Sequence, residues 1–172
     1  MNTPPANKMF RREIHPITKT LDAQKGIVEY VASDESLDRD REILCASGWR
    51  FSNFAKNSPF LDNHNYDSIE SLLGKVLDAR VEKKQLIETV QWAIDVPDNT
   101  LAQLGFKMTD AGYLKAVSIG GFPIKIATND GSRQFKDLLK SFGQPESAPV
   151  RRIFLEQKQV ELSACSLAAN TN

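Results

Sequence analysis

Many short β-rich runs around two helical segments predict an α+β domain, a mainly antiparallel β-barrel with flanking helices. Three observations carry this. Strand-like stretches recur along most of the chain, two windows repeat apolar residues at helical spacing, and there is no internal repeat. The length of 172 residues fits one domain whose core needs neither disulfides nor metal. Residues 1–25 read as an N-terminal arm and residues 26–172 as the folded domain.

Residues 1–20 are polar, hold three prolines and read as a loose arm ending in a short strand near Ile14 to Ile17. Gly26 to Ala32 is rich in β-branched residues and reads as a strand. The charged stretch from Ser33 to Glu42 reads as a solvated loop, a simpler account of Asp38, Asp40 and Glu42 than a metal site. Residues 47–57 are a short helix or turn carrying Trp49, Phe51 and Phe54, which with Trp92 are core candidates. Gly74–Val81 and Leu86–Ala93 form a hairpin about Glu82-Lys-Lys-Gln85.

Pro97 then opens a helix with Asp98 or Asn99 as its cap. Leu101, Leu104 and Met108 fall at i, i+3 and i+7 and predict its buried stripe, and Ala111-Gly112 ends it. A strand carrying Ser118 follows, then a further strand at Ile124–Ala127. Phe135, Leu138, Leu139 and Phe142 define a second helix closed by Gly143. After an exposed loop at 144–149 come two strand-like runs, Arg151–Leu155 and Val160–Leu167.

Composition narrows the function classes. Lys plus Arg equal Asp plus Glu at 22 each, so no global field draws the chain to nucleic acid or an anionic membrane. No apolar run reaches the ~20 residues that span a bilayer. The N-terminus lacks the apolar stretch of a secretory signal. Cys45 and Cys165 have no metal-ligand spacing and read as small buried hydrophobes in a reducing compartment. The expectation is a cytoplasmic protein with neither nucleic-acid nor membrane partner.

Two segments point to chemistry. Tyr113-Leu-Lys-Ala-Val-Ser-Ile-Gly-Gly-Phe122 places one serine, Ser118, where an apolar strand meets two glycines. Asn57-Ser-Pro-Phe-Leu-Asp-Asn-His64 supplies an imidazole. A serine hydroxyl needs a base to take its proton and donors to hold the oxyanion that follows. Backbone N–H groups near Gly120 and Gly121, or from another loop, are the expected donors. His15 reads as an ordinary arm residue. A metalloprotease helix motif, a phosphate-binding glycine loop and a nucleotide fingerprint are all absent from the sequence.

These pieces resemble the prohead (capsid maturation) serine proteases of tailed bacteriophages, a family related in fold to the herpesvirus assemblins. The resemblance spans about residues 26–170 and rests on five segments in family order. They are Asp38-Arg-Asp-Arg-Glu-Ile-Leu with Gly48-Trp49, the run ending at His64, Leu73-Gly-Lys-Val76, Leu114-Lys-Ala-Val-Ser-Ile-Gly120, and Val160-Glu-Leu-Ser-Ala-Cys-Ser-Leu-Ala-Ala-Asn170. It implies a herpesvirus-protease-like barrel, with Ser118 as nucleophile and His64 as base. An acid is implied on the closing strand. Glu161 takes that place, with Glu156 as the weaker substitute.

Alternation puts Glu161, Ser163 and Cys165 on one strand face. The chain departs from the family pattern in reading Ser118-Ile-Gly-Gly-Phe122 for Ser-x-Gly-Phe, and in having Ala164 where a second acid often stands. By the resemblance, the substrates are scaffold segments, the major capsid protein and the protease itself, cleaved inside an assembling procapsid in the host cytoplasm. It implies no cofactor and leaves self-association open. Many members continue past the final strand, so an end at Asn172 fits a truncation, a short form or a self-processed product. The competing expectation is an inactive, protease-like assembly or docking component. A lipid or ester hydrolase ranks third, since Gly-x-Ser-x-Gly is missing.

Overall fold

A computed structural model of the chain describes residues 10–14 and 18–166. Among these residues ten strands make one sheet: β1 (Phe10–Ile14), β2 (Thr18–Asp22), β3 (Ile27–Asp34), β4 (Glu42–Leu44), β5 (Trp49–Arg50), β6 (Pro59–Asp62), β7 (Leu72–Glu82), β8 (Gln85–Trp92), β9 (Ala116–Thr128) and β10 (Arg152–Cys165). Two helices accompany it, α1 (Thr100–Asp110) and α2 (Arg133–Ser141). Neither is long and apolar enough to cross a membrane.

The strand order is β1-β9-β10-β6-β7-β8-β3-β2, with β4 and β5 also paired to β10. Neighbours run antiparallel except β4, β5 and β6, which run parallel to β10. The order starts at β1 and ends at β2, so among the described residues the sheet is a curled half-barrel, not a closed barrel. Its curl brings β3 close to β1 and β9. Part of the segment read as an arm is therefore sheet: β1 pairs with β9, and β2 with β3. His15, and with it most of the strand expected near Ile14 to Ile17, lies outside the described residues.

The hairpin forms as expected. Glu82 pairs with Gln85, and Lys83 and Lys84 both take positive φ (49° and 64°), as a two-residue type I′ turn requires. Two pairs of expected strands prove to be single long ones, β9 and β10, paired to each other along most of their length. Register shifts between Phe154 and Gln157 and between Gln159 and Glu161 bend β10 without breaking it. Pro123 falls beyond the stretch of β9 that β1 covers, an edge position where a missing N–H is tolerated.

Helix α2 buries Phe135 and Leu139, with Leu138 and Phe142 packed beside them, in a small core with Ile43, Val150 and Ile153. It closes with paired bonds from Gly143 N–H to Lys140 O and from Gln144 N–H to Leu139 O. Helix α1, capped by the Asn99 side chain on Ala102 N–H, turns the other way. Its buried face is Ala102, Phe106 and Thr109, while Leu101, Leu104 and Met108 are each at least 40% exposed. The reason is close approach: a Cβ on Gly105 would stand 2.4 Å from the Trp92 ring. Ala102 and Gly105 seat this helix beside Phe106, while Leu101, Leu104 and Met108 face out.

Trp49, Phe54 and Trp92 are buried in the main core, with Phe51 against it. The stretch read as a charged loop ends differently. Glu42 is buried and accepts from Arg151 (2.8 Å) and Arg152 (Nε, 2.7 Å), tying β4 to β10.

Candidate active site

The site is a line of polar side chains on one face of the sheet. In the β9–β10 pair, Ser118 stands opposite Ser163 and Gly120 opposite Glu161. Directly opposed residues project to the same side, so these four share a face. Val117, Ile119, Leu162 and Ala164 project to the other side, into the main core. The register shift between Gln159 and Glu161 sits just before the acid, where a bulge re-aims the side chains that follow.

His64 comes from the next strand over. Strand β6 pairs with β10 on the edge away from β9, and the chain turns at once beyond it. Asn63 and His64 both adopt left-handed backbone (φ 44° and 58°), unusual for residues with a Cβ and characteristic of strained functional positions. Asn63 N–H donates to Ala164 O at 3.0 Å, and His64 N–H donates to Ser163 Oγ at 3.1 Å. These bonds return the imidazole over β10.

His64 Nε2 lies 2.7 Å from Ser118 Oγ, and Nδ1 lies 2.7 Å from Glu161 Oε1. All three residues are buried. Ser163 donates to Glu161 Oε2 at 2.6 Å, and Tyr66 donates to Oε1 at 3.3 Å. With Nδ1–H donated to the carboxylate, Nε2 is left to accept the Ser118 proton, the arrangement that activates a serine.

The structure thus brings Ser118, His64 and Glu161 together. Glu156 is elsewhere, bonded to Arg50 at 2.9 Å. Gly120 and Gly121 lie inside β9 with a strand on each edge. Gly120 also makes room: a Cβ there would stand 2.1 Å from Glu161 Oε1. Ser163 and Tyr66 were not foreseen as part of the site. Alternation had placed Ser163 beside Glu161, but nothing in the sequence assigned either residue a task.

A second buried carboxyl lies nearby. Glu88 on β8 accepts from Gln159 Nε2 at 2.7 Å, and the same amide reaches the Glu161 backbone carbonyl at 3.4 Å. Burial pushes Glu88 up to about 8. Away from this region, a cleft of about 760 Å³ is lined by Leu72, Trp92, Val96 and Leu101, among others, and by none of Ser118, His64 and Glu161. Among the described residues, neither Cys45, half-buried, nor Cys165, buried, is in a disulfide.

No family model, no curated protein and no solved structure matches the chain.

Proposed function

We propose that the chain is a serine endopeptidase of viral procapsid maturation, with Ser118 as nucleophile, His64 as base and Glu161 as the acid that orients it. The observation that carries this reading is the unbroken line Ser118–His64–Glu161, with both contacts at 2.7 Å in a buried setting. His64 takes the Ser118 proton as Oγ attacks a backbone carbonyl, giving a tetrahedral intermediate and then an acyl-enzyme. The protonated imidazole, held by Glu161, passes the proton to the leaving amine. Water then attacks the ester by the same route and frees Ser118. Every proton in this cycle moves through Nε2.

The family resemblance supplies the rest of the reading: a herpesvirus-protease-like barrel, scaffold and major capsid protein segments and the chain itself as substrates, and action inside the procapsid in the host cytoplasm. A fluorophosphonate probe tests the chemistry. One adduct per chain on Ser118, lost in His64→Ala, is expected. Co-expression with a capsid protein tests the substrate, since Ser118→Ala should leave it at full length. Trimming by that variant sinks the assignment.

One observation favours the second reading, an inactive assembly component: Ser118 is 0% exposed, so no carbonyl reaches it in this conformation.

A further inference from the structure

Ser118 is fully buried, in a strand paired on both edges. The triad runs in a line across the sheet, from the turn after β6, over Glu161 and Ser163 on β10, to Ser118 on β9. His64 and the acid therefore occupy the β10 side of the serine. An extended substrate chain bringing a carbonyl to Oγ has one further edge of β9 to pair with. That edge is taken. Strand β1 pairs antiparallel along it from Val117 to Gly121, with Glu13 at the register position opposite Ser118 and Arg11 opposite Gly120.

We propose that this edge of β9 is a seat for an extended peptide, and that the chain's own N-terminal strand fills it as an intramolecular competitor. An unpaired strand edge recognises any extended backbone through its row of N–H and C=O groups, whatever the side chains. Three features suit β1 to a displaceable role. Among the described residues it spans five, it ends the sheet order, and its hydrogen-bonded neighbour is β9. The occupant this seat accepts is therefore a polypeptide in extended form, running antiparallel to β9. The inference rests on the serine-hydrolase reading, and it accounts for the closed state that otherwise speaks for an inactive protein.

The test is the rate of fluorophosphonate labelling at Ser118, located by peptide mass, in three forms of the chain. These are the full chain, a chain lacking residues 1–14, and a full-length Arg12→Pro/Glu13→Pro double variant. Alternate residues of an antiparallel strand bond its neighbour, so one of the two prolines removes a ladder donor. If β1 is docked about 90% of the time, opening the seat speeds labelling ~10-fold. A synthetic peptide of residues 8–17 added to the truncated chain should slow labelling again, with saturation, and a scrambled peptide should not.

Equal rates in all three forms overturn the proposal and leave the hydrolase reading standing. No labelling in any form, with circular dichroism showing a retained fold, overturns the hydrolase reading and the proposal with it. Unfolding of both altered chains makes β1 a structural seam and also overturns the proposal.

Discussion

Glu161 and Glu88 are both fully buried, sit on strands of one sheet, and touch the same glutamine, yet their surroundings differ in kind. Three donors converge on the Glu161 carboxylate: the His64 ring, the Ser163 hydroxyl and the Tyr66 hydroxyl. Among the described residues Glu88 has one, the Gln159 amide, while its Oε2 and the Gln159 Oε1 lack partners. A buried carboxylate keeps its charge only when donors replace the water it lost. Glu161 has the donors that such a group needs, one of them an imidazole. Glu88, raised to about 8, is built to hold its proton. The lesson is that the donor set, rather than depth in the fold, decides which of two buried acids can take part in proton chemistry.

The sharpest way to break this comparison is to neutralise each acid in turn. Glu161→Gln puts an amide against Nδ1 and disturbs the tautomer that leaves Nε2 free, so Ser118-dependent turnover is expected to fall ~10⁴-fold, as amide replacement does in other triads. Glu88→Gln keeps the shape of a group that already carries a proton at neutral pH, and turnover should stay within about a factor of three of the parent, an energy difference below 1 kcal/mol. Peptide cleavage or probe labelling measures both. Equal losses would mean that the two acids form one functional unit.

Gly120→Ala asks whether the acid's position matters as much as its charge. The added methyl would overlap Glu161 Oε1, and Gly120 lies in a strand paired on both edges. The carboxylate must give way, so turnover is expected to fall ~10²-fold, the scale of an ångström-level misplacement. Retained far-ultraviolet dichroism would separate this from unfolding. Unchanged turnover would show that His64 does not depend on that geometry.

Much of this site was legible from the chain. Ser118 and His64 stand out because each is the chemically useful residue in a short, otherwise apolar or turn-like setting, and Glu161 comes from the family resemblance, with alternation adding only that Ser163 shares its face. What sequence alone could not give was the purpose of Gly120. A glycine after a serine suggests backbone donors, and only the β9–β10 register shows that it clears space for an acid 41 positions away, from 120 to 161. The helices divide in the same way. The apolar stripe of α2 is buried as its period indicates, whereas α1 packs through Ala102, Gly105 and Phe106 because the Trp92 ring must lie against it. Periodicity identifies a helix; tertiary contact picks its face. The barrel was read from strand content, but closure depends on which strands end the sheet, and local pattern carries no trace of that.

Ser163→Ala sharpens the contrast by stripping one donor from the well-served acid. It deletes the proton given to Glu161 Oε2 and the acceptor for His64 N–H, at the turn where His64 holds left-handed backbone. A loss of about 1–3 kcal/mol in stability is expected from the unpaired buried groups. Turnover should fall ~10-fold, less than for Gly120→Ala, since Nδ1 and Tyr66 still bind the carboxylate. Ser163→Thr, which keeps the hydroxyl, should recover most of the turnover.

The smallest expected effect concerns stability alone and probes the poorly served acid. Glu88 binds its proton more tightly folded than unfolded, its value rising from 4.5 to about 8 with burial as the main cause. Between those values the folded state holds a proton that the unfolded state has lost. Stability contributed by this group therefore falls as pH rises from about 4.5 to about 8 and levels off above that. Glu88→Gln has no proton to lose. Thermal midpoints of the parent and the variant, measured at about pH 5 and about pH 9, should show the parent losing ground to the variant at the higher pH. Two midpoints that shift in parallel would mean that Glu88 is charged throughout, fed by water or by donors on its free oxygen, and that the two glutamates are less different than their hydrogen bonds indicate.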